Sequence, residues 1–168
     1  MQNIKKEEIE ELLTIIPRGY PQQDIFHLTD NCLGMCEALH ELCQAEHYHY
    51  DLMIGNDDYY SALKASSDLN IEAFDFKKSR YNKHARQYDF VFVQIDLEAI
   101  ENIGLFYKKL YAISKNGSKV LFIVEKERDL LAFEEVLIAH NYVAVNAIEN
   151  TFENYHIMSA QKMHGWGN

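Results

Sequence analysis

The sequence predicts a three-layer α/β sandwich around a mostly parallel sheet that ends in an antiparallel hairpin. Apolar runs of strand length alternate with helical patterns from residue 25 to residue 140. The runs "YDFVFVQID" (88–96) and "SKVLFIVE" (118–125) are almost continuously apolar, as strands buried on both faces of a parallel sheet must be. The closing runs, 142–149 and 154–163, are separated by "NTFE", which is too short for a crossover helix, so they pair antiparallel at the sheet edge.

In chain order, Ile9, Leu12, Leu13 and Ile16 recur at helical spacing behind an acidic first turn, and Pro17, Gly19 and Pro21 close this lead-in helix. A strand at 25–29 then feeds a helix at 33–46, a strand at 50–55 feeds a helix at 58–67, and a strand at 70–75 runs into an irregular basic stretch. The second half repeats the rhythm: strand 88–96, helix 97–114, strand 118–125, and a helix at 127–140 built on Leu130, Leu131, Phe133, Val136 and Leu137.

Composition narrows the class. At 168 residues the chain has the length of one domain, and with 48% hydrophobic residues, seven Gly and two Pro it is neither disordered nor collagen-like. The net charge of −10 opposes general adhesion to nucleic acid or to anionic membrane. Charges interrupt the N-terminal "MQNIKKEEIEELL", where a secretory signal needs an apolar core, so a cytoplasmic location is expected. Cys32, Cys36 and Cys43 are odd in number, which argues for reduced thiols rather than a disulfide framework.

Several strings, weak singly but telling in order and spacing, resemble the class I (seven-stranded) S-adenosylmethionine-dependent methyltransferases across roughly residues 24–163. "IGNDDYYSALKA" (54–65) resembles the end of that family's second strand and the helix after it, and "IEAFDF" (71–76) the end of its third. "YDFVFVQID" is similar to the fourth strand, "SKNGSKVLFIVE" to the fifth with its glycine turn, and residues 140–162 to the closing hairpin. The resemblance implies a methyltransferase-like Rossmann fold with a seven-stranded sheet, so that the chain divides into the lead-in helix over 1–20 and a single methyltransferase-like domain over 21–168. It implies S-adenosylmethionine as cofactor, with Asp57 at the ribose and Asp75 and Phe76 beside the adenine.

The chain departs from the family where strand 25–29 turns into the next helix. Thr29, Asn31 and Leu33 stand where small glycines are expected, His27 stands in place of an acid, and Gly34 comes one residue late. Glycine serves in such a turn because the backbone adopts unusual dihedrals and meets the ligand without a Cβ. If the turn still binds cofactor, Thr29, Asp30, Asn31 and Gly34 hold its methionine end. If it does not, Leu33 or Met35 folds inward and fills the space.

Methyl transfer needs orientation and a desolvated nucleophile more than a fixed dyad. Asp96, ending the fourth strand on the rim, is the catalytic candidate, and a helix N-cap is its plainer role. Cys36, His40, Cys43 and His47 recur at helical spacing, but one straight helix aims only about two such side chains at a metal, so packing against the sheet is the reading and no metal is expected. Lys77, Lys78, Arg80, Lys83 and Arg86 form a basic run that would be the place to meet phosphate or nucleic acid, or else a solvated loop offsetting nearby acids. Unpaired edge surface at the hairpin, together with the lead-in helix, suggests homodimerisation. Two functional readings follow: a small methyltransferase of unassigned acceptor, or a catalytically silent protein of that fold serving as an interaction or assembly module.

Overall fold

A computed structural model describes residues 4–77, 83–148 and 152–163. Helix α1 (Lys6–Leu13) leads into the strand–helix alternation β1 (Asp24–Thr29), α2 (Leu33–Glu46), β2 (His49–Ile54), α3 (Asp57–Ser66), β3 (Ile71–Ala73) and β4 (Tyr88–Gln94). A 3-10 turn (Leu97–Ala99), α4 (Ile103–Ile113), β5 (Ser114–Glu125), α5 (Leu130–Ala139), β6 (Tyr142–Ile148) and β7 (Tyr155–Lys162) complete it. The seven strands lie in the order β3-β2-β1-β4-β5-β7-β6. The first five are parallel, whereas β7 runs antiparallel to both β5 and β6. The last of the described strands therefore lies inside the sheet, with β6 at the edge. Among the described residues no helix is long and apolar enough to cross a membrane.

The continuous apolar strands serve both faces. Phe26, Leu28, Val91, Val93, Val120 and Phe122 pack with Phe106, Tyr107 and Leu110 of α4 and with Phe133 and Leu137 of α5. Their sequence neighbours Ile25, Phe90, Phe92, Leu121 and Ile123 pack instead with Ile9 and Leu12 of α1 and with Met35 and Leu39 of α2. This period-two division buries both sets, which is why the strands read as unbroken hydrophobic runs. Truncating a side chain such as Leu110, with no exposed surface, should cost about 2–5 kcal/mol.

Two expected elements differ. The helix predicted over 97–114 is broken after Ala99, because Asn102 starts a new helix by accepting the Leu105 N–H on Oδ1 at 3.1 Å. The strand predicted from 118 begins at Ser114. Its glycine turn is absorbed as a bulge opposite Tyr88–Phe90, with Gly117 at φ +78°. At the end of β7 the Lys162 side chain is buried, and its Nζ donates to the carbonyls of Tyr111 at 2.8 Å and Ser114 at 2.9 Å, tying β7 to the end of α4.

Candidate functional site at the carboxyl ends of the strands

In an open α/β sheet the crevice beyond the carboxyl ends of the strands is the natural ligand site, because loops diverge where strand order reverses. Here the reversal lies at β1, between β2 and β4. Asp30, the residue after β1, continues the ladder by donating its N–H to the Gln94 carbonyl at 3.1 Å. Its Oδ2 accepts the Asp96 N–H at 3.0 Å. Its Oδ1 lies over Gly55, so close that a Cβ built there would sit 2.6 Å from it and 3.2 Å from the Phe76 ring. The Asp30 carboxylate thus bridges the gap between the ends of β2 and β4. Burial raises its pKa, as does the neighbouring Asp96 charge, while the Asp96 N–H bond opposes the rise.

Two cavities open on this rim. One, of about 530 Å³, is lined by residues including Gly55, Asn56, Phe76, Lys77, Ile100 and Leu105. The other, of about 470 Å³, is lined by residues including Asn31, Leu97, Glu98, Glu125, Glu127 and Arg128. Asp30 and Asp96 line both. Both volumes fall in the size range of small-molecule sites, roughly 300–1,000 Å³.

The predicted site residues divide into two groups. Asp30, Asn31, Phe76 and Asp96 line the cavities. Phe76 is held edge-on to Phe74 at 4.7 Å and packs on Phe106 at 5.9 Å. The Asp96 carboxylate accepts the Glu98 N–H at 2.9 Å and caps the 3-10 turn, as its plainer reading required. Thr29 is fully buried, with Oγ1 accepting the Asn31 N–H at 3.4 Å. Gly34 faces away from the rim, where an added Cβ would meet Ile9 of α1 at 3.4 Å. Asp57 is exposed in the first turn of α3, whose cap is Asn56 through the Tyr59 N–H at 2.8 Å. Asp75 turns back on its own loop to accept the Lys77 N–H at 2.9 Å.

Leu33 is 41% exposed, and Met35 is buried in the α1–α2 cluster with Ile9 and Leu39. Neither lines the two cavities. His27, in the position of the missing acid, is fully buried and shares a 2.9 Å hydrogen bond with the Tyr50 hydroxyl. Burial pushes its pKa down to about 3, so it is neutral and no base for the rim. Asn56, Ile100, Asn102 and Leu105 are cleft residues that the sequence reading did not single out.

All three cysteines of the cysteine-histidine series are buried free thiols, and among the described residues no group of three or more His, Cys, Asp or Glu is placed to hold a metal ion. Of the basic run, Lys77 reaches the cleft, and Lys83 is paired with Asp51 at 3.2 Å and Glu72 at 3.3 Å. Arg86 is exposed, and Lys78 and Arg80 lie outside the described residues.

The sequence matches no protein-family model and no curated protein. Solved structures do match. The chain is similar to the Haemonchus contortus phosphoethanolamine N-methyltransferase 2 in complex with S-adenosyl-L-methionine, with TM-score 0.69 and 11% identity over 94% of this chain and 53% of that one. It is similar to a S-adenosylmethionine-dependent methyltransferase from Aquifex aeolicus, with TM-score 0.69 and 13% identity over 90% and 88% of the two chains. A third, from Listeria monocytogenes and described as a putative methyltransferase of the same dependence, gives TM-score 0.62 and 14% identity over 95% and 100%. The chain spans about half the length of the Haemonchus protein.

Proposed function

We propose that this chain, which has the class I methyltransferase-like fold, is a small S-adenosylmethionine-dependent methyltransferase of unassigned acceptor. The observation that carries the proposal is the pair of cavities meeting at Asp30 and Asp96 on the switch-point rim. The first cavity suits the cofactor. Gly55 lets the Asp30 carboxylate and the Phe76 ring close on the backbone at the cavity wall, and Phe76, Ile100 and Leu105 supply apolar wall for a planar base. When bound, S-adenosylmethionine would supply an electrophilic methyl group on a sulfonium.

Asp30 and Phe76 are the residues proposed to contact it, whereas Asn31 lines the second cavity alone. Asp57 and Asp75 adjoin the lining residues Asn56 and Phe76, and each would have to turn its carboxylate inward to take part. The second cavity would hold the acceptor, with Asp96 placed at the shared wall to receive a proton from it. The acceptor is proposed to be small, in keeping with a second cavity of about 470 Å³, or to be shaped in part by a second copy. A light-scattering mass fixed at one chain over a wide concentration range would remove the second copy.

The rival reading is the silent interaction or assembly module. It is favoured by the Asp30 carboxylate standing in the gap and by the lack of glycine in the 29–32 turn. Calorimetry decides between them. Micromolar binding of S-adenosylmethionine, lost in Ala99→Trp, which plugs the first cavity from an exposed position, supports the enzyme. No heat at millimolar ligand supports the module.

A further inference from the structure

We infer that Asp30 makes the site prefer loaded cofactor over spent cofactor, its carboxylate serving as counter-charge to the sulfonium. The inference rests on the proposed methyltransferase reading and adds to it which residue senses the state of the cofactor.

With cofactor in one cavity and acceptor in the other, the sulfonium would lie near the boundary that the two cavities share. Asp30 and Asp96 form that boundary. Their carboxylates are not equivalent. Asp96 is exposed on the rim, and its Oδ1 is committed to the Glu98 N–H. Asp30 is half-buried, pinned by Oδ2 to the Asp96 N–H, and its Oδ1 is pressed over Gly55 toward the first cavity. A charge held there is less screened than one in water, so it acts more strongly on a cation beside it.

S-adenosylmethionine carries a sulfonium where S-adenosylhomocysteine has a neutral thioether, and the two share every other group except the methyl. An anion at the junction therefore binds the loaded form better and loosens its hold once the charge has left. Gly55 is the residue that makes room for this arrangement, since any side chain there would displace the carboxylate or the Phe76 ring.

The test uses three ligands by calorimetry on the full chain, at a pH well above the carboxylate range. They are S-adenosylmethionine, S-adenosylhomocysteine and sinefungin, whose ammonium stands in place of the sulfonium without a transferable methyl. The two cations should bind about 10-fold tighter than the thioether, equivalent to about 1.4 kcal/mol. In Asp30→Asn, which keeps an acceptor for the Asp96 N–H, the three affinities should converge to within about 2-fold. Asp96→Asn, on the exposed side of the wall, should narrow the gap less. Tight, equal binding of all three by the wild type overturns the inference and leaves the cofactor reading standing. So does a cation preference that survives Asp30→Asn. Binding of none of them overturns both.

Discussion

Adding one methyl group at Gly55 tests the geometry of the rim without any ligand. In Gly55→Ala the new Cβ would lie 2.6 Å from the Asp30 Oδ1 and 3.2–3.3 Å from two carbons of the Phe76 ring. Real Cβ atoms do not approach an oxygen so closely, so one neighbour must move. The Phe76 ring is wedged against Phe74 and Phe106 and has little freedom. Asp30 has a short side chain, and swinging it aside breaks its bond to the Asp96 N–H. A hydrogen bond to a charged group contributes about 1.5–3 kcal/mol, and overpacking costs about 1–3 kcal/mol. The expected loss is therefore about 1.5–3 kcal/mol, or roughly 3–12 °C in Tm for a chain of this size. Urea unfolding of wild type, Gly55→Ala, Asp30→Ala and the double variant forms a cycle. With the carboxylate gone, the alanine at 55 should cost under about 1 kcal/mol, the remainder being Phe76. A cost below about 0.5 kcal/mol in the wild-type background, or one that is the same with and without the carboxylate, would refute the packing argument.

Asp30 should also leave a mark on the pH dependence of stability. Burial raises its folded pKa above the ordinary carboxylate value, so it contributes stability at low pH that is lost as pH rises through the folded pKa. The stability of wild type minus that of Asp30→Asn should accordingly fall with rising pH across that window, and a difference that grows with pH would contradict the assignment. Cys32, Cys36 and Cys43 are each no more than 3% exposed, and burial pushes the Cys43 thiol up to about 12 and the Cys36 thiol higher still. A thiol reagent should label them only at the rate of unfolding, and fast labelling of the native chain would show that α2 is not packed as described. Lys162→Met strips the Tyr111 and Ser114 carbonyls of a buried ammonium donor and should cost about 1.5–3 kcal/mol, so an unchanged urea midpoint would show that this tie does not hold β7 in place.

The order of strands and helices could be read from the sequence because burial on two faces leaves an unbroken apolar signature, as in Phe90 to Val93. The place of β7 could not. A short connection dictates antiparallel pairing of 142–148 with 155–162 but is silent on which of the two meets β5. Helix continuity over 97–114 misled for a similar reason: Leu97, Ile100 and Ile103 keep an apolar rhythm through the break, and the signal for a new start was Asn102, three residues before Leu105. That break matters for the site, since it brings Ile100, Asn102 and Leu105 to the cleft. The rim positions of Asp30 and Asp96 were legible because they follow strands that the pattern had placed. Gly34 was not, because its facing depends on α1 lying against α2, a tertiary contact that no local pattern encodes.

The interior position of β7 also shapes how the chain folds as it is made. While residues 1–150 emerge, β5 has β4 on one side and nothing on the other, so the main-chain groups along Val120, Leu121, Phe122, Ile123 and Val124 stand open. Strand β6 cannot shield them, because its partner in the finished sheet is β7. An apolar strand with a bare edge is the template on which chains join to one another. Synthesis of this protein therefore passes through a stage in which an apolar strand edge waits for β7. A pause or a stop codon shortly before Tyr155 should yield insoluble chains rather than a smaller folded domain.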